Sequence, residues 1–242
     1  KGAFRGKERG VYRKLYATSI DGLHWEKPIL GLETADGSPD GDKATNIFLQ
    51  RTHEDHSPQV IHTPWETEPE QRYKLVSYEY GRTPPDYATS GYLGAHSADG
   101  VHWTEYARAP ILPDPGDVGN FVWDPLARRY LGFPKVFREI SGFRRRCVGC
   151  TFTTTFTQWP EPALALAPDA EDDRWVEQPG QHTDFYGMSG FAYESMYIGF
   201  LWIFRITDGD NDGPIFIELT TSRDGIHWLR QPSPRTPLLA LG

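Results

Sequence analysis

Ser19-Ile-Asp-Gly-Leu-His-Trp25 is written twice more, with only its second and fifth residues changed, at Ser97-Ala-Asp-Gly-Val-His-Trp103 and Ser222-Arg-Asp-Gly-Ile-His-Trp228. Each copy follows a strand-like run, Arg13–Thr18, Gly91–His96 and Ile215–Thr220, and leads into another short run. Strand, Asp-Gly turn, strand is the sequence form of a β-hairpin: glycine accepts positive φ and the aspartate can bond backbone amides across the turn. Asp21, Asp99, Asp224 and the histidines beside the tryptophans, His24, His102 and His227, are therefore expected to be turn residues, with each Trp packed beneath its hairpin. A degraded copy, Thr153-Thr-Thr-Phe-Thr-Gln-Trp159, follows Cys147–Phe152 and keeps only the Trp.

The four tryptophans are spaced by 78, 56 and 69 residues. That spacing is too long for common solenoids and suits four-stranded propeller blades with loop insertions. Earlier strands fall at Ser57–His62 and Arg72–Tyr78, at Gly119–Asp124 and Arg129–Phe133, and at Asp184–Met188 and Tyr197–Ile203. The sequence thus predicts an all-β chain, a single partial β-propeller domain of about three and a half four-stranded blades. Residues 1–30 form the outer hairpin of one blade, 53–108 a second blade, 114–163 a third and 180–232 a fourth. Either the chain belongs to a longer protein, or a homodimer completes the ring.

Composition agrees. With 38% hydrophobic and 14% aromatic residues the chain can bury a core, and its 24 Gly and 20 Pro, spread throughout, punctuate many short strands. A net charge of −8 argues against a nucleic-acid partner, which needs clustered Lys and Arg. The one basic run, Arg144-Arg145-Arg146, is short and reads as a solvated or locally paired strand end. The longest apolar run, Met196–Phe204, is far below the roughly 20 residues that span a bilayer, so it reads as a buried strand and no membrane partner is expected. Cys147 and Cys150 lie three apart, on opposite faces of a strand, which favours packing over metal or redox chemistry. Localisation is open; a secreted or periplasmic protein is expected if the natural N-terminus carries a signal peptide.

Two stretches carry a family likeness. His182-Thr-Asp-Phe-Tyr-Gly-Met188, followed by Tyr197-Ile-Gly-Phe-Leu-Trp202, resembles a D-F-Y-A blade opening and its following G-W strand. His56-Ser-Pro-Gln-Val60, followed by Arg72-Tyr-Lys-Leu75, resembles an R-D-P-x-V opening. Together they resemble the five-bladed propeller superfamily of glycoside hydrolase families 32, 43 and 68, with the first blade missing here; the heptads also resemble the sialidase Asp-box, one residue shorter. The resemblance implies three acids near the propeller axis: a nucleophile or base from the first blade, a supporting Asp from the second and an acid Glu from the third. Here the first lies before Lys1, direct alignment puts Ser57 at the second position with Asp55 two residues earlier, and no E-C-P occurs at the third, where Asp117 is the nearest acid.

First strands of blades line a propeller's channel, so the openings His53-Glu-Asp-His56, Asp114-Pro-Gly-Asp117 and His182-Thr-Asp184 are expected to converge. Like-charge crowding there would raise some carboxyl pKa values, leaving one carboxyl protonated to donate to a leaving oxygen and another ionised to attack or activate water. Asp55, Asp117 and Asp184 are the candidate catalytic residues. Candidate substrate-binding residues are His53, His56, His182, Lys135 and the aromatic platforms Trp123, Tyr186 and Trp202. Lys135 and Arg145 could take the carboxylate or sulfate of an acidic sugar. No metal site or cofactor is read from the sequence, although some relatives carry an axial calcium, for which His182 or His56 could serve. Glu194 reads as a turn residue. The leading expectation is hydrolysis of a furanoside or related oligosaccharide. The alternative is a non-catalytic carbohydrate-binding or interaction propeller; a sialidase-like enzyme would need an arginine triad from residues such as Arg51, Arg138 and Arg205.

Overall fold

The computed structural model describes residues 13–35, 37–38, 40–50, 55–80, 90–106, 110–113 and 115–239. The chain is all-β and folds as a partial β-propeller, with one 3-10 turn, Pro69–Gln71, among the described residues. It divides into two compact units, Lys1–Pro110 and Ile111–Gly242.

In the first unit, β1 (Arg13–Leu15) pairs with β2 (Ile47–Gln50), and β3 (Asp55–His62), β4 (Tyr73–Glu79), β5 (Gly91–Ser97) and β6 (Thr104–Glu105) form an antiparallel meander. In the second, β7 (Leu112–Pro113) is followed by the third blade, β8 (Gly119–Asp124), β9 (Arg129–Ile140), β10 (Phe143–Thr153) and β11 (Ala163–Leu166). The fourth blade is β12 (His182–Tyr193), β13 (Met196–Ile206), β14 (Ile215–Ser222) and β15 (Trp228–Arg230).

The first repeat holds a strand that the sequence conceals. Thr18 bridges Glu26, and the Tyr16 N–H bonds to the Asn46 carbonyl. Amides two residues apart on a strand point the same way, so Glu26 and β2 flank β1 on one side. The outer strand starts at Glu26, detours through the intervening residues, and resumes at Ile47. The repeat therefore extends beyond the residue-30 limit read from the sequence.

All three heptads form one turn. Ser Oγ accepts the glycine N–H at 2.8–2.9 Å, and Asp Oδ1 accepts two further backbone N–H groups at 2.8 Å. Asp Oδ2 meets His Nδ1 at 2.6–2.7 Å, and the Trp Nε1–H donates to the glycine carbonyl at 3.1–3.2 Å. Gly22, Gly100 and Gly225 sit at φ of 75° to 78°, where a side chain is strained. The histidine bond, then the backbone bonds, hold the carboxyls of Asp21, Asp99 and Asp224 well below the usual range. The tryptophans differ: Trp228 is 7% exposed but Trp25 is 60% exposed, so packing beneath the hairpin fails for the first copy.

The core of the second unit lies between its two blades. Leu131, Phe133, Val148 and Cys150 of the third meet Phe185, Met188, Leu201, Ile203 and Trp228 of the fourth, with Phe133 edge-on to Trp228 at 5.3 Å. Each outer tryptophan covers a second-strand glycine: a Cβ on Gly199 would stand 2.8 Å from Trp228, and one on Gly132 would stand 3.0 Å from Trp159. Asp124, fully buried at the end of β8, accepts the Tyr197 hydroxyl at 2.9 Å and the Arg129 Nε–H at 3.0 Å. Burial, with Asp124 beside it, pushes the Tyr197 phenol up to about 12. Cys147 and Cys150 are free and buried, and desolvation raises their thiols to about 11 and 12, as suits packing residues. Glu194 takes φ of 52° in the turn between β12 and β13.

Candidate active site at the blade openings

Both fully traced opening strands that carry a candidate acid contain a β-bulge. In β12 the register passes from Phe185↔Ile203 to Gly187↔Trp202, leaving Tyr186 as the extra residue. In β3 it passes from His56↔Tyr78 to Gln59↔Val76, with Ser57 at φ of 50°. Bulges re-aim side chains and are common beside active sites. Counted from the bulge, Asp55 and Asp184 occupy the same place, one residue before the last regular pair.

The two acids also share an environment. The Asp184 side chain is fully buried and bonds Arg146 Nη1 at 2.6 Å; the Asp55 side chain is 1% exposed and bonds Lys14 Nζ. Arg146 lies on β10 and Lys14 on β1, each a strand leading into the tryptophan hairpin of the preceding repeat. Arg146 also donates to the Asp210 carbonyl at 3.1 Å and to Asn211 Oδ1 at 2.6 Å, tying the loop after β13 to the same acid. These cations escape a sequence reading because they stand 38 and 41 residues from their acids. A cation at the same strand of the first and third repeats was the available signal.

Asp117 is different. Its side chain is 23% exposed and bonds Lys135 Nζ, whose own side chain is 7% exposed. The Lys135 N–H donates to the Val118 carbonyl at 2.7 Å, and a Cβ on Gly116 would press to 2.9 Å from the Lys135 carbonyl, so this short loop wraps the lysine closely. Lys135 Nζ then stands 5.4 Å from the Tyr186 ring centre and 5.7 Å from that of Phe137. Tyr186 stacks at 6.4 Å on Trp202 and meets Phe204 edge-on at 5.5 Å. Asp117, Lys135, Tyr186 and Trp202 form one connected array.

His182 stacks on Phe143 at 4.3 Å, its Nδ1–H donating to the Gly180 carbonyl at 2.9 Å. Its Nε2 lies 3.6 Å from Asp184 Oδ1, a buried oxygen without a hydrogen-bond partner. Trp123 stands apart, edge-on to Tyr130 at 5.0 Å near the far end of β8. Arg145 is committed to Asp173 at 2.7 Å. Asp55 and His56 lie in the first unit, where His56 meets Tyr80 edge-on at 5.2 Å. His53, Glu54, Arg51 and Asp114 lie outside the described residues. Among the described residues no group of three or more His, Cys, Asp or Glu is placed to hold a metal ion, so the calcium expectation gains no ligand set.

No protein-family model matches the chain, and no curated protein matches it in sequence. Solved structures do. An N-acetylgalactosamine deacetylase from F. plautii, in complex with blood group B trisaccharide, is 15% identical with a TM-score of 0.59, over 93% of this chain and 61% of that one. A glycoside hydrolase is 13% identical with a TM-score of 0.52, over 92% and 64%. Sucrose-6-phosphate hydrolase from Lactobacillus gasseri is 16% identical with a TM-score of 0.50, over 74% and 34%. At these identities the likeness is one of fold, shared with propeller-type glycoside hydrolases, and the chain spans less than two thirds of each neighbour.

Proposed function

We propose that the chain is the sugar-processing part of a glycoside hydrolase-like protein that cleaves glycosidic bonds of a furanoside or related oligosaccharide. The observation that carries this reading is the array at the openings of the third and fourth blades: a partly exposed carboxylate, Asp117, beside a lysine-capped aromatic pair, Tyr186 and Trp202. An aromatic face suits the C–H face of a sugar, and a carboxylate at its edge can bond hydroxyls or act as acid or base. Asp184, two residues before Tyr186 and paired with Arg146, is fitted to support charge beside the reacting sugar, and Asp55, paired with Lys14 in the first unit, repeats that pairing. The fold neighbours, a glycoside hydrolase and a sugar deacetylase among them, support a carbohydrate substrate.

A second reading, a carbohydrate-binding propeller without turnover, is favoured by the complete burial of Asp184 behind Arg146. Product analysis over a panel of oligofuranosides and oligopyranosides, together with calorimetry, separates the two. Turnover that falls at least 100-fold in both Asp117→Asn and Asp184→Asn, with folding intact, supports the enzyme. Sugar affinity without product supports the binding module, and neither affinity nor product removes both readings.

A further inference from the structure

We propose that Asp117 is a specificity-determining residue that keeps this site selective for uncharged sugars by neutralising Lys135. This rests on the reading of the array as a sugar site. Lys135 is the cation placed against the Tyr186 face, where a ligand stacked on that ring would meet it. Its ammonium group is spent on Asp117. Of the neighbouring cations on β10, Arg146 is spent on Asp184 and Arg145 on Asp173, while Arg144 lies over the Phe137 ring at 3.8 Å. The loop that Arg146 holds carries three further exposed acids, Asp208, Asp210 and Asp212. A uronate or sulfated sugar would meet a compensated lysine, and gains no ion pair with Lys135 without first displacing Asp117. A neutral sugar needs only the ring faces and hydroxyl partners.

Removing the Asp117 charge should therefore expose a latent anion site. The simplest probe is inorganic sulfate, followed by tyrosine and tryptophan fluorescence in the intact chain at low ionic strength. Wild type should show no saturable sulfate binding below 100-fold the concentration that half-saturates Asp117→Asn, and Asp117→Asn/Lys135→Met should lose the gain. Asp117→Ser carries the same test should the asparagine variant fold poorly. Equal sulfate binding by wild type and the variants, or no gain in either folded single variant, would overturn the proposal. A matched pair, oligogalactose and oligogalacturonate, adds the sugar arm: the variant should shift preference toward the uronate by about tenfold. If neither sugar binds any form while the sulfate gain appears, the gating by Asp117 stands and the sugar reading fails.

Discussion

The first and last copies of the heptad make the same turn in different surroundings. Around Asp21 and around Asp224 the corresponding hydrogen bonds agree to within 0.1 Å, yet Trp25 is mostly solvent-exposed and Trp228 is buried against Met188, Gly199 and Phe133. The turn is thus closed by its own seven residues. What buries the tryptophan is the second strand of its blade, and that strand needs a glycine where the indole lies.

The sharpest way to break this comparison is to truncate both rings. Trp228→Ala should cost about 3–5 kcal/mol, whereas Trp25→Ala should stay within about 0.5 kcal/mol, both read by urea denaturation. Equal costs would mean that Trp25 is covered in solution. Next in size, Gly199→Ala should cost about 1–3 kcal/mol, because its Cβ would enter the space of Thr220, Met188 and Trp228. A crystal or nuclear-magnetic-resonance structure of that variant should show the Trp228 ring displaced. The smallest and most even effect belongs to the aspartates: Asp21→Ala and Asp224→Ala should loosen their own turns alike, seen as faster amide exchange at Leu23 and His24 or Ile226 and His227. Because folding lowers these carboxyl pKa values, their contribution is present above the unfolded value of about 3.9 and is lost as pH falls below it. Acid should therefore lower amide protection, taken relative to the intrinsic exchange rate at each pH, at both turns together while Trp228 remains buried.

Most of the fold was legible because the turn is local. A serine, an aspartate, a glycine and a tryptophan at fixed spacing state their own hydrogen bonds, and the strands before them follow from alternation. The outer strand of the first repeat was not legible, since a detour separates Glu26 from Ile47 and sequence spacing cannot show that both flank β1. Strand β9 runs past the expected end at Phe133 because the ladder to β10 steps over Pro134, passing from Lys135↔Val148 to Gly132↔Thr151, so the missing N–H is tolerated. At the candidate site, the blade openings that hold Asp55, Asp117 and Asp184 were readable, but the partners of these acids were not. Lys14 and Arg146 arrive from preceding repeats, and a basic run does not say that Arg145 and Arg146, on opposite faces of β10, serve different acids.

The detour in the first repeat has a consequence for chain continuity. Hydrogen bonds on either side of it, Thr18 with Glu26 and Tyr16 with Asn46, anchor the two parts of the outer strand to β1 independently. The covalent link between them is then dispensable for the ladder. A protease cut within the detour would leave two fragments that remain associated, which makes this loop the natural place to split the protein or to receive an inserted tag.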